Sequence, residues 1–260
     1  MRALITLLLV LSVILPVCAD SITGGVEKRD LNSGTNQVID SSTGYGISEA
    51  KVSLPTKNYT TRTDTEGRFN LGTKITAPTI MSVDKEGYRP FSLTLNSETA
   101  GKPLIVGIEK STPQNVVVES DMIHLGDNSF SANSANAGDF AVKSSGPFYS
   151  KDFHVCPLKP GQEAYLMVGS IIGIDTITSR QLGQSKVTTS YAEPPQVYCN
   201  GNKIAEIKIN GDGQEIKLPR GVVRPNQQNE ITIKAGKNLF QTAYIDYDDI
   251  EFTNLQVEVR

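Results

Sequence analysis

Apolar and polar side chains alternate with a period of two along much of the chain. Ala50, Val52 and Leu54 are separated by polar residues, and residues 91–95 and 104–109 repeat the pattern. Period two is typical of half-buried strands. Further runs of this kind occupy residues 165–168, 204–209, 216–218, 231–233 and 250–259. No segment shows a convincing helical period, so the pattern predicts an all-β protein.

Short polar sequences that contain Gly separate the strands of the first half, at residues 42–44, 64–67 and 85–87. Their close spacing is typical of a small β-sandwich. In the last run the apolar positions slip by one residue, from Ile250 and Phe252 to Leu255 and its successors. A slip in a period of two predicts a β-bulge near Thr253 and Asn254.

The chain divides at a polar stretch with a Pro, residues 111–115. That composition indicates a hinge between packed units. Residues 127–145 are rich in Ser, Asn, Ala and Gly but are interrupted by Phe, and we interpret them as the loop-rich beginning of the second unit. We therefore expect two β-sandwich domains in tandem, at residues 20–112 and 116–260.

The first nineteen residues read as a secretory signal. Arg2 precedes an almost unbroken apolar run at 3–17, which is too short for a membrane span, and a cut before Asp20 fits the small residues there. An alternative is a lipid anchor on Cys18. No second apolar stretch of this length follows, so we expect no transmembrane segment and a secreted, periplasmic or cell-surface protein.

The charge balance bears on possible partners. The chain has 25 basic and 28 acidic side chains, a net charge of −3, and no Trp. Such a chain has no extended basic surface to neutralise phosphates, so we expect no nucleic-acid partner. The oligomeric state does not follow from the sequence.

Two cysteines would remain after removal of the signal, Cys156 and Cys199. An even pair in an oxidising compartment favours a disulfide, whereas two buried thiols that pack as small apolar groups are the alternative. Neither belongs to a CxxC pair, so we expect no redox catalysis.

Five segments of the first half carry a resemblance: VID at 38–40, TG at 43–44, ISEAKV at 47–52, TRTDTEGRF at 61–69 and VDKEGY at 83–88. In this order they resemble carboxypeptidase regulatory-like domains, and the resemblance covers residues 22–110. It implies a seven-stranded, prealbumin-like sandwich that is noncatalytic and acts as a spacer or presenting module. An apparent insertion between Val26 and Val38 departs from the family pattern.

The second half carries a different series: HLGD at 124–127, YCNGNKIA at 198–205, IKLP at 216–219, NEITI at 229–233 and DYDDIEF at 246–252. The order of these segments resembles a galactose-binding-like jelly roll of the carbohydrate-binding-module type. The resemblance implies two antiparallel sheets that bind glycans by edge loops or by one concave face.

Clustered carboxylates near the end of the chain suggest a structural calcium site. Calcium takes six to eight oxygen ligands, and Asp246, Asp248 and Asp249 supply carboxylates close together. The jelly-roll resemblance implies a calcium ion that joins the first loop to the last strand, which adds Asp127. A solvated acidic edge is the alternative reading.

Sugar rings stack on flat aromatic side chains, and without Trp only Tyr and Phe are available. Tyr191, in a Pro-stiffened loop, is the first candidate, followed by Tyr149 and Tyr244. Each of them also suits a rim or interface position.

No catalytic signature is present: GxSxG, HExxH and GxxxxGK[ST] are all absent. The sequence predicts an exported noncatalytic protein whose second sandwich binds carbohydrate or another cell-surface ligand. The alternatives are a structural or adhesive cell-envelope protein and, third, a cryptic glycoside hydrolase, whose carboxylate pair would be spatial and not sequential.

Overall fold

The computed structural model describes residues 35–128, 140, 142–188, 191–236 and 249–260. This part of the chain is almost entirely strand, so the predicted all-β class is confirmed. One short helix, α1 (Ile177–Gln181), was not predicted. It begins where the Ser179 N–H donates to Thr176 Oγ1 at 3.1 Å, an N-cap that lets a single turn form.

Two predictions of the sequence concern the membrane. None of the helical residues in the described ranges forms a segment long and apolar enough to span a bilayer. Residues 1–19, with Cys18, lie outside the described residues. The signal peptide and the alternative lipid anchor therefore stay predictions.

From residue 35 onwards, the described part of the first half forms seven strands: β1 (Asn36–Asp40), β2 (Lys51–Leu54), β3 (Tyr59–Arg62), β4 (Arg68–Phe69), β5 (Thr79–Asp84), β6 (Phe91–Leu95) and β7 (Ile105–Ile108). They make two sheets, in the orders β4-β1-β7 and β3-β2-β5-β6. Strands β1 and β7 run parallel, and all other pairs are antiparallel. Between the sheets lies one apolar core, which includes Val38, Val52, Leu54, Phe69, Met81, Val83, Leu95 and Val106.

The turn before β4 shows how the sequence sets this arrangement. Asp64 Oδ1 accepts from the N–H groups of Glu66 at 3.0 Å and Arg68 at 2.7 Å. Gly67 has φ +77°, and a Cβ there would lie 2.4 Å from the Val38 carbonyl oxygen. Only glycine fits this position, where the turn closes onto β1 and directs Phe69 into the core.

Within its described residues, the second half forms nine strands: β8 (Asn115–Glu119), β9 (Ile123–Leu125), β10 (Phe148–His154), β11 (Ala164–Ile172), β12 (Gln196–Cys199), β13 (Asn202–Glu206), β14 (Gly211–Leu218), β15 (Gln228–Lys234) and β16 (Ile250–Val259). One sheet has the order β10-β15-β12-β13. The other has the order β14-β11-β16-β8, with β9 paired to the beginning of β16. All these pairs are antiparallel.

Strand β16 is the central strand of the second half. Its apolar side chains, among them Phe252 and Val257, enter a core that also contains Leu166, Val197 and Ile231. The predicted irregularity is present: Asn254 has φ +56°, and the pairing of β16 with β8 shifts between Leu255 and Gln256. The shift lies one to two residues beyond the predicted bulge.

The two cores draw on separate parts of the chain. The first core ends at Ile108, and the second begins at Val118. A small third cluster joins them, with Ile80 from the first sandwich and Met122 and Ile172 from the second. Gln256 and Glu258, on the polar face of β16, are covered by Pro90 and Arg89 of the first sandwich.

Candidate functional site

The two sandwiches pack against each other with their backbones close together. Gly169 in β11 faces the first sandwich, and a Cβ there would lie 2.6 Å from Ser92 Oγ and 2.7 Å from Asn254 Cβ. Ser170 Oγ donates to Ser92 Oγ at 3.0 Å. Gln256 Nε2 donates to the Pro90 carbonyl oxygen at 2.8 Å. These buried contacts fix strand β6 against β11 and β16.

Arg89 follows the turn at 85–87 and bridges the two sandwiches. Its Nη1 donates to Glu109 Oε2 at 3.0 Å within the first sandwich. Its Nη2 donates to Glu258 Oε2 at 3.2 Å, and its Nε donates to Gln256 Oε1 at 3.4 Å, both in β16. The Arg89 side chain is only 14% exposed, so the surroundings shield these pairs from water.

A cleft of about 370 Å³ opens beside this bridge. Its floor is apolar, formed by Phe91, Leu93, Ile108 and Met167. Its polar lining is Arg89, Ser92, Glu109, Asp212 and Gln256. A volume of this size lies at the small end of the roughly 300–1,000 Å³ of ligand pockets, which favour domain interfaces and combine apolar walls with a few polar groups.

One side of the cleft is held by the beginning of strand β14. Asp212 lies at the start of β14, next to Gly213, whose φ is +63°. Its Oδ2 accepts from the Thr94 N–H at 2.9 Å and its Oδ1 accepts from Thr94 Oγ1 at 2.7 Å. The beginning of β14 therefore also connects the two sandwiches.

The carboxylates that line the cleft are held by hydrogen bonds. Glu109 is held in an ion pair with Arg89, and both Asp212 oxygens accept hydrogen bonds. The cleft thus offers fixed donors and acceptors beside apolar side chains.

Away from the cleft, the predicted calcium loop contains a buried histidine. His124 Nε2 lies 2.7 Å from Asp249 Oδ1, and the Asn128 N–H donates to the same oxygen at 2.8 Å. His124 Nδ1 lies 2.5 Å from the Val142 carbonyl oxygen, which can only accept, so Nδ1 carries a proton. The structure thus brings the first loop onto the last strand, as expected, but a histidine makes the junction.

Charge around His124 determines its protonation. Burial lowers the pKa of His124, but the hydrogen bonds to Asp249 and Val142 and the negative charges of Glu251 and Asp249 outweigh it, so the net pKa is raised. Glu251 Oε1 lies 4.0 Å from Nδ1. All three side chains are at most 2% exposed.

The described residues do not by themselves make a calcium site. Asp249 Oδ1 already accepts twice, and Oδ2 is buried with no hydrogen-bond partner among the described residues. Asp127 is exposed. Calcium takes six to eight oxygen ligands, whereas no metal-holding group of three His, Cys, Asp or Glu occurs in the described ranges. Asp246 and Asp248 lie outside those ranges, so calcium stays a prediction.

The predicted sugar platforms are engaged in other contacts. The guanidinium of Arg180 lies 5.2 Å from the centre of the Tyr191 ring and also donates to its hydroxyl. The Tyr149 hydroxyl donates to Glu119, and its ring meets Phe252 edge-on at 6.0 Å. Burial and that glutamate raise the pKa of Tyr149. Tyr244 lies outside the described residues.

The predicted disulfide is absent. Cys156 is exposed and Cys199 is buried, and both are free cysteines. Cys199 pairs with Ile231, which pairs with Lys151 on β10, five residues before Cys156. At about 3.3 Å per residue this offset is roughly 16 Å along the strand, whereas bridged Cα atoms lie about 4.4–6.8 Å apart. Burial raises the pKa of Cys199 to about 11.

Sequence reasoning missed the residues of the cleft and the role of His124. Arg89 and Glu258 are 169 positions apart, and His124 and Asp249 are 125 apart. The sequence contained one indirect signal for the cleft. Gln256 and Glu258 alternate with the apolar residues of the last run, so they form a polar face of β16 opposite its apolar face. A polar face of that kind normally points to solvent.

Comparisons with known proteins supply no family. No protein-family model matches the chain, and no curated protein matches it. Two solved structures are similar, those of wild-type BuGH86 and of a variant of it, each in complex with neoagarooctaose, at 9% identity and a TM-score of 0.31. The match covers 84% of this chain and 28% of each of theirs. A likeness this weak carries no argument about function.

Proposed function

We propose that this chain is an exported, noncatalytic binding protein that holds a carbohydrate in the cleft between its two sandwiches. The observation that carries the proposal is the cleft itself: about 370 Å³, with an apolar floor, polar side chains at its edge and walls from both sandwiches. The first sandwich would thus form part of the binding site, beyond the presenting role that its resemblance implies.

The lining residues suit a hydroxylated ligand. Phe91 is the aromatic side chain among the residues that line the cleft, and it is partly exposed. A sugar ring can place its apolar face on such a ring while its hydroxyl groups meet the carboxylates of Glu109 and Asp212. Because the interface is hydrogen-bonded on both sides, these groups are held in place before the ligand arrives, which lowers the entropic cost of binding.

A glycan-array screen of the purified protein, in calcium and again in chelator, tests the proposal. We expect binding of at least one glycan class. Phe91→Leu, which keeps an apolar side chain but removes the flat ring, should weaken that binding about tenfold, as expected for a loss of about 1.4 kcal/mol. The matched control is Tyr191→Ala, which removes the aromatic candidate from the loop.

Three results would contradict the proposal or redirect it. Full affinity in Phe91→Leu together with loss in Tyr191→Ala would move the site to the loop. A blank array in both solutions would favour the structural or adhesive alternative. Release of reducing ends from a bound glycan would show that the protein is a hydrolase.

A further inference from the structure

The charges around the cleft are strongly unequal. Among the described residues that line it, Arg89 is the basic side chain, while Glu109 and Asp212 are acidic. Glu258, which is paired with Arg89, adds a third carboxylate. The cleft and its immediate surroundings therefore hold three carboxylates and one guanidinium.

Arg89 is poorly placed to receive an anionic ligand. Each of its three nitrogens already donates to a carboxylate or an amide oxygen, at 3.0, 3.2 and 3.4 Å. Its positive charge is more than neutralised by Glu109 and Glu258. A carboxylate or sulfate group on a ligand would meet net negative charge, and juxtaposed like charges disfavour binding.

The acidic groups, in contrast, remain accessible. The Glu109 side chain is 34% exposed, although one oxygen accepts from Arg89. Asp212 is exposed, and each of its oxygens accepts one hydrogen bond from Thr94, which leaves lone-pair capacity on both. A protonated amine has three donors and a positive charge, so it matches this rim.

We infer that the cleft selects glycans that carry a free amino group, such as glucosamine units, over acetylated and acidic sugars. This inference rests on the proposed function, since it names the ligand class of the same cleft. The amine would approach Glu109 and Asp212 while the sugar ring lies over the apolar floor.

Isothermal titration with three matched tetrasaccharides tests the inference. The probes are β-1,4-linked glucosamine, its N-acetylated counterpart and a glucuronic acid oligomer of equal length, at neutral pH and low salt. We expect the amine to bind about fivefold more tightly than the acetylated form and the acidic oligomer to bind most weakly, because a partly exposed ion pair contributes about 1 kcal/mol. Added salt should reduce the advantage of the amine.

Glu109→Gln and Asp212→Asn should each reduce that preference towards equality, measured as the ratio of the two dissociation constants because both side chains also meet the sugar hydroxyl groups. Both replacements retain an oxygen that can accept a hydrogen bond, and a thermal melt verifies that each variant folds. Glu66→Gln, which removes the same charge from an exposed site of the first sandwich, is the control.

The outcomes separate the two proposals. Equal binding of amine and acetylated sugars, or tightest binding of the acidic oligomer, overturns the inference and leaves the carbohydrate site standing. A preference for the amine that persists in both cleft variants also overturns the inference, because the amine would then be recognised elsewhere. No binding of any probe by a protein that is also blank on the array overturns both.

Discussion

Arg89 of the first sandwich donates to Glu258, in the last strand of the second, across 3.2 Å. The same guanidinium contacts Glu109, which precedes the connection between the two sandwiches. Since the pairs are mostly shielded from water, their loss leaves two carboxylates close together without a counter-ion. The interface thus places one guanidinium between carboxylates of both sandwiches.

We expect Arg89→Met to lower the free energy of unfolding by about 2–3 kcal/mol, because removal of one partner from a largely buried ion pair is strongly destabilising. Arg62→Met is the matched control. Its pair with Glu49 spans 3.9 Å and both side chains are more than 60% exposed, so it should cost less than about 0.5 kcal/mol. Urea unfolding gives both values, and equal losses would show that the bridge does not stabilise the interface.

Substitution of Gly169 by alanine tests whether the two sandwiches pack closely at this position. Because a Cβ at this position would lie 2.6 Å from Ser92 Oγ, Gly169→Ala must displace one wall of the interface. We expect a loss of about 1–3 kcal/mol, the usual cost of overpacking. Gly101→Ala, where a Cβ has no neighbour closer than 3.5 Å, should be near neutral in the same urea titration. A neutral Gly169→Ala would mean that the two sandwiches do not meet there.

Parts of the fold were predictable because their causes are local. The Asp64 to Gly67 turn and the alternation around Val52 each depend on neighbours within a few residues, and both led to the correct class. The cleft was not predictable, because nothing near Gln256 or Glu258 in the sequence shows that another sheet covers that face of β16. The partner of His124 was hidden for the same reason, since Asp249 is distant in sequence. Only the adjacency of the first loop and last strand, implied by a family resemblance, pointed to it.

Asp40 should make the first sandwich sensitive to acid. The pKa of Asp40 lies far below its usual range, chiefly because its carboxylate accepts a hydrogen bond from the Ser42 hydroxyl. Burial opposes this effect, and hydrogen bonds from the Tyr88 hydroxyl and from the N–H groups of Ser42 and Thr43 add to it. A lowered folded-state pKa gives stability that is present above about pH 4, the unfolded value, and is lost as the pH falls towards the folded value.

Asp40→Asn should therefore be less stable than the unchanged protein at pH 6, and the gap should narrow below about pH 4. Melting temperatures between pH 2 and 7 measure it. Asp84→Asn, at an exposed strand end, should leave the profile unchanged. A constant gap between the proteins at all pH values would contradict the role of the Asp40 charge.

The cysteines can be distinguished by reaction with a thiol reagent. In a Cys18→Ser background, we expect one fast-reacting thiol in the folded protein, Cys156, and a second only after denaturation. Cys199 is buried and the pKa of its thiol is raised to about 11, so it reacts slowly in the folded state. Cys156→Ser should abolish the fast reaction. No reactive thiol after denaturation without reductant would show that a disulfide forms and that the separation of the cysteines described above is wrong.

His124 should make stability fall as the solution becomes alkaline. Its folded-state pKa is raised, so the stabilisation from Asp249 and Glu251 is fully present below the unfolded value of about 6.5 and is lost as the pH rises through the folded value. We expect the melting temperature to decrease over that window and the decrease to vanish in His124→Gln. The chain has two histidines, and His154→Gln, at an exposed strand position, should keep the decrease. NMR titration of the His124 ring gives the folded pKa directly. A folded pKa at or below about 6.5, the unfolded value, would contradict the raised pKa of His124.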